Sequence, residues 1–137
     1  METRLIGLDT NIFLSVLKKE KNIDRAIEIL KKIEDGKLIG VISVIVLLEI
    51  LILFYRERRI EEGKKTIDLI QNMPNLIIVD FTFDLIELTT KLKTKYKLGI
   101  GDSIILSAPI ALGADSFVTY DDNFNMVKEI KIEKFRK

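Results

Sequence analysis

Short apolar runs alternate with longer amphipathic stretches along the chain. Residues 5–8 carry no charge and lead into Asp9, which predicts a buried strand that passes directly into a helix begun by Thr10 and Asn11. Four more runs predict strands at residues 38–42, 75–79, 116–119 and 130–132. The stretches between them predict helices at about 10–20, 22–35, 43–56, 60–72, 82–96 and 103–112, with a short helical turn at 122–127. Because strands and helices alternate, right-handed crossovers should build an α/β fold with a parallel sheet and helices on both faces.

Polar residues mark the ends of several of these helices, and a proline interrupts one of them. Ser43 is expected to cap the third helix, and Asp102 is expected to open the sixth. Pro109 falls inside the sixth helix, where it removes a backbone donor and should kink the helix about two turns after Asp102. Residues 56–59, Arg-Glu-Arg-Arg, look like a solvated connection between the third and fourth helices.

The overall composition indicates one globular domain spanning residues 1–137. A hydrophobic fraction of 47% in 137 residues suffices for a single core, and the net charge of +1 gives no bulk preference for nucleic acid. The apolar run at 38–55 is interrupted by Gly40, Ser43 and Glu49, which favours a buried strand and helix over a membrane span. The first residues lead into a strand too short for a secretory signal, so we expect a cytoplasmic protein.

The residue types that are missing limit the possible chemistry. With no His and no Cys, the chain has no Ser-His-Asp triad, cysteine nucleophile, disulfide, or zinc site built from thiolate or imidazole. Any reaction must therefore use carboxylates, hydroxyls, amides or lysines. Abundant Lys, Glu and Ile, without Cys or Trp, is also typical of thermophile proteins.

Four acids are candidates for one shared site. Asp9 follows the first strand, Glu49 lies about two turns into the third helix, Asp102 heads the sixth helix, and Asp121 follows the fourth strand. Elements that follow parallel strands begin at the same edge of the sheet, which is where ligands bind in open α/β folds. Each aspartate also precedes a helical segment, so helix capping alone would explain any one of them.

Glu49 is harder to explain as a structural residue. It is the only charged residue between Lys37 and Arg56, inside a helix that is apolar nearly all round. An unpaired carboxylate there would be costly, and a buried ion pair is the simplest structural alternative. If the acids do cluster, they repel one another, and their natural partner is a divalent cation. Oxygen ligands favour Mg²⁺ or Mn²⁺, which can activate water and stabilise charge on a phosphoryl oxygen.

The order and spacing of these residues resemble the PIN domain family, in particular its small single-domain ribonuclease toxins of the VapC type. The matching pieces are Leu8-Asp9-Thr10-Asn11, Ser43 with Glu49, Gly101-Asp102-Ser103, and Val118-Thr119-Tyr120-Asp121 with Phe124. The resemblance covers essentially the whole chain.

The resemblance implies a three-layer α/β/α fold around a parallel sheet of about five strands in the order 3-2-1-4-5. It also implies a metal-dependent endonuclease acting on single-stranded RNA. The implied catalytic and metal-binding residues are Asp9, Glu49, Asp102 and Asp121, with Asn11, Ser43 and Thr119 in supporting positions. Asp122 stands next to Asp121 and makes the fourth ligand ambiguous, although the spacing from Thr119 favours Asp121.

The sequence leaves several roles open. A nuclease would be either a toxin restrained by an antitoxin or a housekeeping RNA-processing enzyme, and an upstream gene for a DNA-binding antitoxin would favour the toxin. A non-catalytic PIN-like domain that binds RNA or protein is less favoured, because all four acids are present. A phosphoryl-accepting regulator ranks last, since Asp9 is followed by Thr10-Asn11 and not by a second acid.

The third helix also predicts self-association. Its apolar residues surround the helix axis, whereas a helix packed on a sheet buries only one stripe. The fourth helix begins with the polar sequence Glu-Glu-Gly-Lys-Lys and offers little apolar cover. A homodimer would bury the remainder, and Leu53→Glu or Phe54→Glu should dissociate it. The alternative is that the third helix is enclosed within one subunit.

Overall fold

The computed structural model describes residues 3–136, within which the chain forms five strands and six α-helices. The strands are β1 (Leu5–Leu8), β2 (Ile39–Ser43), β3 (Leu76–Val79), β4 (Ser116–Thr119) and β5 (Lys131–Lys134). The helices are α1 (Thr10–Leu17), α2 (Asp24–Glu34), α3 (Val44–Arg56), α4 (Ile60–Gln71), α5 (Ile86–Tyr96) and α6 (Ile100–Ala111). Short 3₁₀ turns occupy Phe83–Leu85 and Asp122–Phe124. The predicted single domain also takes in residues 1, 2 and 137, which lie outside the described residues.

All five strands are parallel and lie in the order β3-β2-β1-β4-β5. This confirms the sheet order that the resemblance implied, in a three-layer α/β/α arrangement. The central strand β1 pairs with β2 on one side and with β4 on the other, with Leu8 opposite Val118. Because the strands are parallel, their carboxyl ends share one edge of the sheet.

Close packing of α6 against the sheet depends on a glycine in β1. A Cβ atom placed on Gly7 would lie 2.5 Å from the Cβ of Pro109, so only glycine lets α6 approach this near. Pro109 lies in the last turn of α6, which continues to Ala111. Its missing N–H removes the hydrogen bond to the carbonyl of Ile105, and the helix nevertheless continues to Ala111.

Two predicted boundaries were wrong in an informative way. The sixth helix begins at Ile100 after a Gly99 cap, which places Asp102 inside its first turn and not at its head. Strand β5 runs over Lys131–Lys134 and not over 130–132, because its pairing with β4 extends to Thr119 opposite Lys134. Pairing with a neighbouring strand therefore outweighed the charged composition of β5. Among residues 3–136, no helix combines the length and apolar character that a membrane span needs.

Candidate active site

The carboxylate of Asp9 is held rigidly at the end of β1. Its backbone is extended and its N–H donates to the carbonyl of Val118 at 3.0 Å, which ties it to β4. One side-chain oxygen, Oδ1, accepts from the backbone N–H of Thr10 at 2.8 Å, so Asp9 caps α1. The other, Oδ2, accepts from the hydroxyl of Thr119 at 2.7 Å. With both oxygens held and only 4% of the residue exposed, Asp9 has one preferred orientation.

Glu49 reaches the same place from α3. Its Oε1 accepts a hydrogen bond from the hydroxyl of Thr10 at 2.5 Å, so its partner is a neutral group and not a cation. Its Oε2 lies 3.2 Å from the point where a Cβ on Gly101 would stand. Glycine at this position therefore allows the first turn of α6 to approach the carboxylate.

Asp102 and Asp121 complete the set from the other side of β1. Asp102 lies in the first turn of α6, and Asp121 follows β4, where it caps the 3₁₀ turn through Asn123 N–H at 2.9 Å. The backbone N–H of Asp121 donates to the Thr119 hydroxyl at 2.9 Å. Since that hydroxyl also donates to Asp9, Thr119 fixes the two aspartates relative to each other.

All four acids line a single cleft of about 370 Å³ at the carboxyl edge of the sheet. The remaining lining residues are Thr10, Asn11, Leu14, Ile52 and Arg56. We name this cavity the acidic cleft. The four acids are 19 to 112 positions apart in the sequence, and the packing of α1, α3, α6 and the end of β4 around β1 brings them together.

The charges of the acidic cleft act on one another. Burial raises the pKa of Asp9 from 3.8 to about 7, with further increases from the charges of Asp102 and Glu49, against hydrogen bonds from Thr119 and Thr10 that lower it. Burial also raises the pKa of Asp102, and the charges of Asp121 and Glu49 add to the increase. These mutual effects show that the carboxylates lie close enough to repel one another.

The chemistry of this donor set fits a hard divalent cation. Carboxylate oxygens are the ligands that Mg²⁺ and Mn²⁺ prefer, and a cation would relieve the repulsion that raises the pKa values of Asp9 and Asp102. Within residues 3–136, however, no three acidic side chains are already spaced as a set of metal ligands.

The supporting residues expected from the sequence have different positions. Asn11 lines the acidic cleft, and its Oδ1 accepts from the Tyr120 N–H at 3.3 Å. Ser43 is buried and caps α3 by accepting from the Ile45 N–H at 3.1 Å, and it does not belong to the cleft lining. Asp122 is also outside that lining, because its carboxylate forms an ion pair with Lys134.

Arg56 is a lining residue that the sequence analysis missed. Arg56 is exposed and is the last residue of α3, in agreement with the predicted helix at 43–56, but its place in the lining of the acidic cleft was not predicted. Glu49, Ile52 and Arg56 are spaced by three and four positions, which places them on one stripe of the helix. That spacing was the available signal, and it was hidden by the run of charges that follows.

The fold and the site together describe an α/β protein with four carboxylates at the carboxyl edge of a parallel sheet. Comparison with family models identifies the family. The model for the PIN domain matches residues 6–130, and the chain belongs to the PIN domain family. Among curated proteins, none matches this chain significantly.

Solved structures share the fold at low sequence identity. The structure of VapBC2 from Rickettsia felis, bound to a DNA fragment from its promoter, includes a chain with a TM-score of 0.77 and 24% identity, and the match covers 96% of this chain and 98% of that one. For VapBC-1 from nontypeable Haemophilus influenzae, the TM-score is 0.71 at 18% identity, with 95% and 97% covered. For VapC20 from Mycobacterium tuberculosis, a toxin that cleaves the sarcin-ricin loop, the TM-score is 0.67 at 18% identity, with 92% and 98% covered.

Proposed function

We propose that this protein is a metal-dependent endoribonuclease that hydrolyses phosphodiester bonds of single-stranded RNA. The observation that supports it most is the convergence of Asp9, Glu49, Asp102 and Asp121 on one cleft. A structural role does not require four acids to face one another, because their mutual repulsion works against the folded state. Membership of the PIN domain family agrees with a nuclease.

In this proposal the four acids hold Mg²⁺ or Mn²⁺. When bound, such an ion supplies Lewis-acid activation of water and neutralises charge on the phosphoryl group. The chain's own residues orient the ligands: Thr119 and the backbone of Thr10 hold Asp9, and the Thr10 hydroxyl holds Glu49. Arg56 is the cation of the cleft lining, and its guanidinium suits a phosphate oxygen of the substrate.

The direct test is cleavage of a single-stranded RNA with and without Mg²⁺ or Mn²⁺. Wild type is expected to cut only with the metal, and Asp102→Asn is expected to lose the activity while remaining folded. Asp84→Asn is a matched control, because Asp84 is exposed and lies outside the acidic cleft. Full activity of Asp102→Asn, or equal activity in a chelator, would overturn the proposal.

The biological role that we favour is that of a toxin held in check by an antitoxin. The similar structures from Rickettsia felis and Haemophilus influenzae are VapBC complexes, and the similar VapC20 is a toxin. A gene for a small DNA-binding protein next to this one would support the pairing, and co-purification of the two products would test it. A housekeeping RNA-processing enzyme is the alternative that cleavage without such a neighbour would favour.

We also propose that the protein is a homodimer, with the outer face of α3 at the interface. Leu48 and Tyr55 on that face are 52% and 49% exposed. Near the start of α6, Ile100 is 68% exposed. Exposed apolar area of this kind usually marks an interface. Part of α3 is nevertheless enclosed within one subunit.

One substitution expected to break the dimer was chosen wrongly. Phe54 is 4% exposed and packs beneath α4, where a Cβ on Gly63 would lie 2.6 Å from the Phe54 Cβ. Phe54→Glu should therefore unfold the subunit and not dissociate a dimer. Leu48→Glu is the better test, and sedimentation should show a dimer for wild type and a species near 15.8 kDa for the variant. A wild-type protein that sediments as a monomer at micromolar concentration would overturn this proposal.

A further inference from the structure

A second groove adjoins the acidic cleft and shares two of its walls. It has a volume of about 840 Å³, and Asn11 and Asp121 line both cavities. On the side away from the cleft, its lining includes Lys134 and Arg136. We name this cavity the basic groove. A continuous path therefore leads from the four carboxylates to two cations.

The register of the sheet places these cations beside the site. Lys134 is the partner of Thr119 across the β4–β5 pair, and the N–H of Phe135 donates to the carbonyl of Thr119 at 2.7 Å. Thr119 is also the residue whose hydroxyl donates to Asp9. Because all strands are parallel, the end of β5 lies at the same edge as the ends of β1 and β4. The sheet therefore fixes Lys134 at this edge, and Arg136 follows two residues after the end of β5.

Asp122 occupies the cationic part of the basic groove. It pairs with Lys134, and the two side chains are 73% and 33% exposed. A hydrogen bond from Lys134 and the charge of Lys134 lower the pKa of Asp122, and the charge of Arg136 lowers it further. Lys134 therefore contacts Asp122 directly, and Arg136 lines the same groove. Exposed ion pairs add little stability, so a phosphate can replace the Asp122 carboxylate at small cost.

We infer that the basic groove holds the RNA strand next to the bond that is cut, with Lys134 and Arg136 binding its phosphates. This inference rests on the proposed nuclease function. A strand whose phosphodiester lies in the acidic cleft must leave it, and the shared walls at Asn11 and Asp121 open into the groove. The cleft has four carboxylates and one cation, Arg56, so further affinity for the RNA phosphates has to come from nearby cations.

In this inference the groove contributes to RNA binding through phosphate contacts. They add affinity and fix the position of the strand, but they carry no sequence information. An acidic protein segment would meet the same two cations. Only a nucleic-acid strand, however, has to continue past Asp121 to reach the carboxylates, which is why we assign the groove to RNA.

The test is binding of a fluorescein-labelled oligouridylate followed by anisotropy over a range of salt concentrations. Every protein carries Asp102→Asn to prevent cleavage. The groove variant combines Lys134→Gln with Arg136→Gln. The matched control combines Lys128→Gln with Lys131→Gln, two exposed lysines that do not line the groove and whose loss changes the net charge equally.

The groove variant should bind roughly tenfold more weakly at low salt, and its salt slope should fall by about 1.4, or about 0.7 for each lost phosphate contact. The control should keep both the affinity and the slope. Lys134→Arg retains the charge and should retain binding. Asp122→Asn removes the competing carboxylate and should tighten binding by about threefold, which a merely structural role of the ion pair would not produce.

Equal weakening in the groove variant and the control would overturn the inference, even if wild type still cleaves RNA. A wild-type protein that cuts RNA and a groove variant that binds normally would overturn it as well. If the groove variant loses binding to a polyglutamate peptide but not to RNA, the groove is a protein-docking surface and the inference is wrong. Absence of both RNA binding and cleavage in wild type would instead overturn the nuclease proposal on which the inference rests.

Discussion

Two aspartates at the same edge of the sheet, Asp9 and Asp122, have opposite environments. Asp9 is buried among neutral donors and other carboxylates, and its pKa is raised to about 7. Asp122 is exposed, pairs with Lys134, and has a lowered pKa. The ionised carboxylate is therefore disfavoured at Asp9, whereas at Asp122 it is stabilised by the neighbouring cation. The comparison identifies the acidic cleft as the place where the fold keeps an uncompensated charge.

A charge that the fold leaves uncompensated needs a partner that is not part of the chain. In the acidic cleft that partner has to be positive, and the four carboxylates suit a divalent cation. In the basic groove the charges are balanced, because Lys134 and Arg136 stand with Asp121 and Asp122, and the exposed Asp122 pairs with Lys134. The two regions together suit the RNA substrate that we propose, which is negatively charged along its length and would be cut at one point in the acidic cleft.

The largest effect expected is the loss of activity on removing the buried charge. Asp9→Asn should reduce RNA cleavage roughly a thousandfold, because it removes a ligand worth several kcal/mol at the transition state. Asp122→Asn makes the same chemical change at the exposed aspartate and should leave the maximal rate of cleavage unchanged. Single-turnover cleavage of a labelled RNA measures both. Similar rates for the two variants would remove the distinction between the two aspartates.

The stability of the metal-free protein should depend on pH through Asp9. In the unfolded chain this carboxyl loses its proton near 3.8, whereas the folded protein keeps it up to about 7. Between these values the folded state binds more protons, so the free energy of unfolding should fall as the pH rises from about 4 to 7, by at most about 4 kcal/mol. Denaturant titrations across this window measure the slope.

Asp9→Asn is the control for this pH dependence. The asparagine side chain does not titrate, so most of the slope should vanish, and the remainder should follow Asp102, whose pKa is also raised. Asp122→Asn should keep the wild-type slope between pH 4 and 7. A wild-type protein whose stability rises with pH over this window would show that Asp9 is not a strained carboxylate.

Mg²⁺ or Mn²⁺ should stabilise the protein by occupying the acidic cleft. At an ion concentration one hundred times Kd, the gain should be about 2.7 kcal/mol. Because the ion competes with the proton on Asp9, the gain should be larger at pH 8 than at pH 5. Thermal unfolding with metal and then with excess chelator measures it. A melting temperature that does not respond to metal at pH 8 would argue against the site.

The smallest effect expected concerns the hydrogen bond that holds Asp9. Thr119→Val removes a donor to the carboxylate that lowers its pKa, so that pKa should rise further and the pH profile of cleavage should move to higher pH. The stability at pH 8 should fall by about 1.5–3 kcal/mol, as for hydrogen bonds to charged groups. An unchanged pH profile would limit Thr119 to a packing role.

Thr89→Val provides the matched control for Thr119→Val. The Thr89 hydroxyl is buried and has no hydrogen-bond partner in the described part of the chain. Its replacement by an apolar group of the same shape should be neutral or stabilising, and the pH profile should not move. A loss of stability equal to that of Thr119→Val would mean that the hydrogen bond to Asp9 contributes nothing specific.

Much of the fold and the four acids could be predicted from local sequence patterns. The uncharged run before Asp9 and the charge of Glu49 inside an apolar helix are visible without a structure, because burial selects residues at each position separately. The strand order and the membership in the PIN family followed from the spacing of motifs along the whole chain. The ends of helices and strands were harder to predict. Asp102 was expected to open α6, but Gly99 caps that helix and Asp102 lies in its first turn.

The positions of the cations near the site could not be predicted from local sequence patterns. Lys134 and Arg136 occur in a charged stretch that predicts no particular neighbour, and only the pairing of β5 with β4 brings them beside Thr119. Arg56 was predicted to end the third helix, but only the packing of the folded chain makes it a lining residue of the cleft. Long flexible side chains at the surface are compatible with many positions, so their sequence gives little constraint.

The sequence by itself determined that this protein has a parallel α/β fold, and that its side chains offer no imidazole or thiol for chemistry. Apolar periodicity and the absence of His and Cys are properties of single residues and short segments, which local physics constrains. The tertiary structure alone decided that Asp9 carries a pKa near 7 while Asp122 is neutralised by Lys134. Those differences arise from burial and from contacts across β1, β4 and β5, and the distance between two charges exists only once the chain is folded.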